Sequence, residues 1–184
     1  MRSSERRRPG RLSTLGRHAA AGVLALLLVA GCVLTGTKVF THSLGDIVIQ
    51  GAFFAAATAD LSDNATYADH ERDIESVDEI GFTTRIVNGT IAEAGVSIFF
   101  SEDPDLSSFI DVRNRALPLL EDLVVPAQGE RTITYEESIE RLENFATLQT
   151  LIEKGSVTIY ALSDGFFNLT LEDFTLVVTF TVGL

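Results

Sequence analysis

Phe82-Thr83-Thr84-Arg85-Ile86-Val87, running directly into Asn88-Gly89, is the stretch that decides the fold class. Phe82, Thr84 and Ile86 alternate with Thr83, Arg85 and Val87, and a two-residue period is what a strand with two unlike faces requires. Asn-Gly tolerates the positive φ of a tight turn and so marks the strand's end. After a short run of small residues comes Val96-Ser97-Ile98-Phe99-Phe100, again β-branched and aromatic. The two segments are expected to pair as an antiparallel hairpin.

The same composition recurs outward along the chain, in Arg131-Thr132-Ile133-Thr134, in Ser156 to Ala161 and in Phe174 to Phe180. With Asp46 to Phe54 and Val112 to Leu123 the count reaches about seven strands, which predicts a mainly β, two-sheet antiparallel sandwich. Helices interrupt this plan. Glu143 to Lys154 places Phe145, Leu148, Leu151 and Ile152 at helical spacing and stops at Gly155. Thr134-Tyr135-Glu136-Glu137 fits a capping box that starts the helix earlier, although Thr132 to Tyr135 also fits a strand end. A shorter helix is expected from Asn64 to Arg72, capped by Asp63 or Asn64. Both helices should pack at the ends or on one face of the sandwich.

The chain has 184 residues, with 14 Lys plus Arg against 26 Asp plus Glu, a formal charge of −12 and a single Cys. That length is one ordinary domain plus something short. The acidic excess argues against nucleic acid, whose phosphates need clustered cations, and against a basic face docked on anionic lipid. One Cys excludes an internal disulfide and a Cys-built zinc or iron–sulfur site. The charge is uneven. Residues 1–31 hold six of the basic residues and only Glu5 among the acids, so the remainder carries eight against 25, a net of −17.

After that Arg-rich head, Ala19 to Ala30 is an uncharged apolar run, too short for the roughly 20 residues of a membrane-spanning helix but right for the core of a secretory signal. It ends in Val29-Ala30-Gly31-Cys32, which resembles the lipobox of bacterial lipoprotein precursors. The resemblance implies cleavage between Gly31 and Cys32, a diacylglycerol on the Cys32 sulfur and acylation of the new amine. It divides the chain into a cleaved signal peptide (1–31), a lipidated N-terminus and tether (32–40) and a single β-sandwich domain (41–184). Arg6-Arg7-Arg8 is followed by Pro9-Gly10 in place of the apolar residues of a twin-arginine signal, so general secretion is expected. At about 0.8 kcal/mol per buried CH2, two or three acyl chains hold a protein durably on a bilayer. Val33 stands where an Asp favours inner-membrane retention in the enterobacterial pattern, and this points to the outer membrane if the cell has one.

A second likeness concerns the body. Ile86-Val87-Asn88-Gly89-Thr90, Ala94-Gly95, Ile98 to Ser101, and Val125-Pro126-Ala127 with Gly129-Glu130 are similar to turn patterns of bacterial cell-adhesion-related immunoglobulin-like modules. The resemblance covers roughly 50 residues of turn chemistry, implies an immunoglobulin-like sandwich and ends at Tyr135, where the helical stretch begins.

Candidates for chemistry are few. His70, in Asp69-His70-Glu71-Arg72-Asp73, offers a ligand or a base beside a carboxylate, and on a helix it would share a face with Asp73. One His supplies too few ligands to hold zinc, and a solvated charged face is the plainer expectation, as it is for His42. No Gly-x-Ser-x-Gly elbow is present, and lipidation removes Cys32 as a nucleophile. Asp60, Asp63 and Asn64, or Glu102, Asp103 and Asp105, supply oxygens suited to calcium but lack the twelve-residue loop spacing. Asn64, Asn88 and Asn168 each begin a glycosylation sequon, which means little in a bacterial lipoprotein. Tyr160, Phe166, Phe167, Phe174 and Phe180 fit core packing better than a ligand pocket.

No catalytic residue, metal ligand or cofactor is therefore assigned, and no binding residue is identified. The expectation is a membrane-anchored envelope protein whose non-catalytic domain engages an envelope protein or glycan. The alternatives are a periplasmic carrier of an apolar ligand or lipid between the sheets, and a hydrolase built around His70.

Overall fold

The computed structural model describes residues 35–183, the side chain of Phe166 excepted. The signal segment 1–31, the Gly31–Cys32 cleavage site and the lipidation site Cys32 lie outside them. Among the described residues six strands, all paired antiparallel, make the body: β1 Thr35–Asp60, β2 Ile74–Asn88, β3 Ala94–Ser101, β4 Leu117–Val125, β5 Glu130–Ile133 and β6 Ser156–Gly183. Four α-helices intervene among the same residues: α1 Ala65–Ala68, α2 Phe109–Arg115, α3 Tyr135–Arg141 and α4 Phe145–Glu153.

β1 and β6 pair with each other from Thr35 opposite Gly183 to Asp60 opposite Ser156. The 28 residues of β6 would extend about 90 Å, far beyond the roughly 40 Å of a domain this size, so the β1–β6 ribbon has to bend. It does so where the register slips, between Ser43 and Ile47 and between Gln50 and Phe54, with Gly45 and Gly51 at φ 70° and 62°. The bend sorts the strands into two layers. The C-terminal part of β6 lies between β1 and β2, with β5 beyond β2, and its N-terminal part pairs with β1 and β3, with β4 beyond β3.

β2 and β3 are therefore not the hairpin expected from the Asn88-Gly89 turn. Each pairs with a different part of β6. The segments at 156–161 and 174–180, read as two strands, are parts of one. Thr35 to Phe40 are already in β1, so the sheet starts inside the stretch expected to be a tether. Val112 to Leu123 is not one strand, because α2 covers its start. Ser108 caps that helix, its Oγ accepting the Asp111 amide and donating to the Asp111 carboxylate.

Thr134 caps the helix, its Oγ1 accepting the Glu137 amide at 3.2 Å, but the reciprocal half of the expected capping box is replaced, because the Glu137 carboxylate turns to Arg131 and Arg141. The helix that Thr134 opens stops at Arg141, and Asn144, at φ 57°, separates it from α4. Asn64 caps α1 by accepting the amides of Thr66 and Tyr67, but α1 ends at Ala68 and residues 69–73 are turns.

Phe82 and Phe174 stack at 5.0 Å in the core shared by both layers, and Phe40 meets Phe180 edge-on. Leu148, Leu151 and Ile152 of α4 join the same cluster. On the other face of β3 and β6 a smaller cluster buries Phe99, Tyr160 and Leu162 under Leu106 and Val112. Burial on both faces explains the unbroken apolar runs Ile98-Phe99-Phe100 and Ile159 to Leu162.

Candidate functional site

The turn residues singled out in the sequence meet in space. Asn88 is 1% exposed, and its Nδ2 donates to Ala92 O at 2.8 Å, to Pro126 O at 3.1 Å and to Val125 O at 3.4 Å. Its Oδ1 accepts the amide and hydroxyl of Thr90. The Asn88 amide donates to Gly129 O, Gln128 N to Thr90 O and Gly89 N to Asn168 O. One side chain thus ties the β2–β3 loop to the Pro126–Gly129 turn. Of the three sequon asparagines, Asn88 is buried, Asn64 is engaged as a cap and as a donor to Thr41 O, and Asn168 is exposed.

The His70 neighbourhood assembles differently from the sequence expectation. His70 is half-buried with its ring edge-on to Phe180 at 6.4 Å, and it shares no helical face with Asp73, because both lie in turns. No hydroxyl is bonded to the ring of His70 or His42 among the described residues. The same residues contain no group of three or more His, Cys, Asp and Glu placed to hold a metal ion.

The acidic loops are occupied by local partners. Asp60 accepts the hydroxyl and amide of Ser62, and these bonds hold its carboxyl below the ordinary value, with nearby His42 a lesser cause. Glu102 pairs with Lys154 at 2.8 Å, while Asp103 pairs with Arg115 at 2.5 Å and accepts the Asp105 amide. Partners are thus seen for the carboxylates of Asp60, Glu102 and Asp103.

Tyr160, expected to pack in the core, is buried there and also serves as an anchor. Its hydroxyl donates to Asp103 O at 2.7 Å and accepts the Leu106 amide at 3.2 Å, fastening the loop before α2. Burial pushes its phenol above the usual value and keeps it a donor.

Two features have no forerunner in the sequence reading. An open groove of about 450 Å³ runs between the α3–α4 corner and the sheet, lined by Ile139, Leu142 and Phe145 opposite Asp78, Glu79 and Thr179. Beside it Glu137 joins Arg131 at 2.8 Å and Arg141 at 3.2 Å. Burial works against ionisation of Glu137, but the two guanidinium groups outweigh it and hold its carboxyl below the ordinary value. The four-residue spacing of Glu137 and Arg141 was the only sequence signal for that pair.

No family model and no curated protein matches the chain. Among solved structures, one of Desmodium yellow mottle tymovirus is 9% identical at a TM-score of 0.38, over 82% of this chain and 87% of that one. One of infectious bursal disease virus, Gx strain, is 11% identical at 0.39, over 78% and 32%. The Anabaena sensory rhodopsin transducer is 14% identical at 0.29, over 65% and 92%. Likeness at these scores carries no functional argument.

Proposed function

We propose that the protein is a lipid-anchored component of a bacterial cell envelope, whose sandwich is an immunoglobulin-like, non-catalytic binding or structural module. The observation that carries this reading is the position of Cys32. It is the chain's only cysteine, it closes the Val29-Ala30-Gly31-Cys32 motif, and it stands three residues before Thr35, where the sheet begins. The partner is an envelope protein or glycan, and Val33 favours the outer membrane. The interlocked Asn88 and Pro126 turns support the immunoglobulin-like part of the reading, since they are the residues on which that resemblance rested.

The test is replacement of Cys32 by Ser in the full chain. Loss of palmitate labelling, accumulation of the uncleaved precursor and departure from the membrane fraction are the expected results. Unchanged labelling and fractionation would overturn the proposal.

A further inference from the structure

We infer that the domain stands on the bilayer by one particular end, the end built from Thr35, Gly183 and the turn before β2, and presents the Asn88–Pro126 turns away from the membrane. This rests on the lipidation reading above. Two residues, Val33 and Leu34, separate Cys32 from Thr35, and the three Cα-to-Cα steps between them span at most about 11 Å. Thr35 is fixed in the sheet opposite Gly183, and the Gly183 amide donates to Asp73 O at 2.9 Å. Ile74 opens β2 opposite Val182. A lipid on Cys32 therefore brings residues 69–75 close to the headgroups.

The opposite end is out of reach. β2 runs from Ile74 to Asn88, roughly 40 Å at strand rise once its register shifts are allowed for. Ile91, in the loop just beyond Asn88, is 86% exposed.

The charge at the near end sets a second expectation. Within residues 69–75, Asp69, Glu71, Asp73 and Glu75 surround the single cation Arg72, so the surface turned to the membrane repels anionic lipid. The gap allowed by the two-residue link is comparable with the Debye length of about 8 Å at physiological salt, so this repulsion acts across it. Salt should bring the near end closer to an anionic bilayer and have little effect over a zwitterionic one.

The experiment uses the processed lipoprotein, whose Cys32 sulfur is blocked by its thioether, with one added cysteine carrying a fluorophore. Ala68→Cys reports the near end and Ile91→Cys the far end, and both positions are exposed. Each protein is reconstituted into phosphatidylcholine vesicles, with and without phosphatidylglycerol, doped with a headgroup spin-labelled lipid. Melting temperatures matching the parent show that both fold. The expected result is quenching several-fold stronger at position 68 than at 91, rising with salt only when phosphatidylglycerol is present. Equal quenching, or stronger quenching at 91, would overturn the assigned orientation. Chains that carry no lipid and fail to float with the vesicles would instead remove the lipidation reading, and the orientation with it.

Discussion

Replacing Asn88 tests whether one buried amide holds the far end together. Asn88→Ala keeps the backbone bonds to Gly129 and Asn168 but removes the donations to Ala92, Pro126 and Val125 and the acceptor used by Thr90. At about 1 kcal/mol for each net hydrogen bond, with more for a buried carbonyl left alone, the loss comes to about 3 kcal/mol. For a domain of this size that lowers the melting temperature by about 6–12 °C. Asn88→Asp keeps the oxygen facing Thr90 but turns a second oxygen toward three carbonyl oxygens in a site 1% exposed.

At pH 7 Asn88→Asp should therefore be less stable than Asn88→Ala, although Asp suits turns in general. Its folded pKa would lie above the unfolded value of about 3.9, so stability should recover as pH falls and the acid regains a proton to donate. Urea melts of the two variants at pH 7 and pH 4 measure both effects. Equal stability of Asn88→Asp and Asn88→Ala at pH 7 would refute the reasoning.

Glu137→Gln should cost about 1 kcal/mol at neutral pH, the scale of a partly exposed pair of ion pairs. Because the folded carboxyl is held below its ordinary value, that contribution is complete above the unfolded pKa and fades as pH falls through the folded one. Parent and variant melts should accordingly converge toward pH 3. At Gly81 an added Cβ would meet the Tyr135 ring at 2.5 Å and Ser138 Oγ at 3.0 Å, so Gly81→Ala should destabilise by about 1–3 kcal/mol. Tyr135→Ala should then cost less in that background than in the parent, as a double-mutant cycle of denaturant midpoints would show. Truncation after Asp173 removes buried Phe174, Leu176, Val178, Phe180 and Val182 from the central strand, roughly 10 kcal/mol of burial, comparable with the whole stability of a domain. Such a chain should be fully protease-sensitive at 25 °C.

Strand content was legible from local composition, and strand partnership was not. Phe82 to Val87 and Val96 to Phe100 announce themselves by alternation and β-branching, but neither property says which neighbour completes the hydrogen bonds. The partner of both proved to be β6, more than 50 residues downstream. Continuity was hidden as well. Asp164-Gly165 falls between the segments read as two strands, yet it lies inside β6 where the ribbon bends. α2 was missed although Ser108-x-x-Asp111 carries the signature of a capped start.

For the site, the cap at Thr134 was readable from spacing alone. The junction of Asn88 with Pro126 was visible only as a resemblance, because it joins residues 38 positions apart.

The pairing of β1 with β6 places Thr35 and Gly183 on the same rung, at one extremity of the longest ladder among the described residues. A force that separates Thr35 from Gly183 meets the rungs singly and peels them apart in sequence. A force between the Thr35 end and the opposite pole, around Asn168, pulls the same rungs lengthwise and loads them together. The fold is mechanically soft along one axis and stiff along the other.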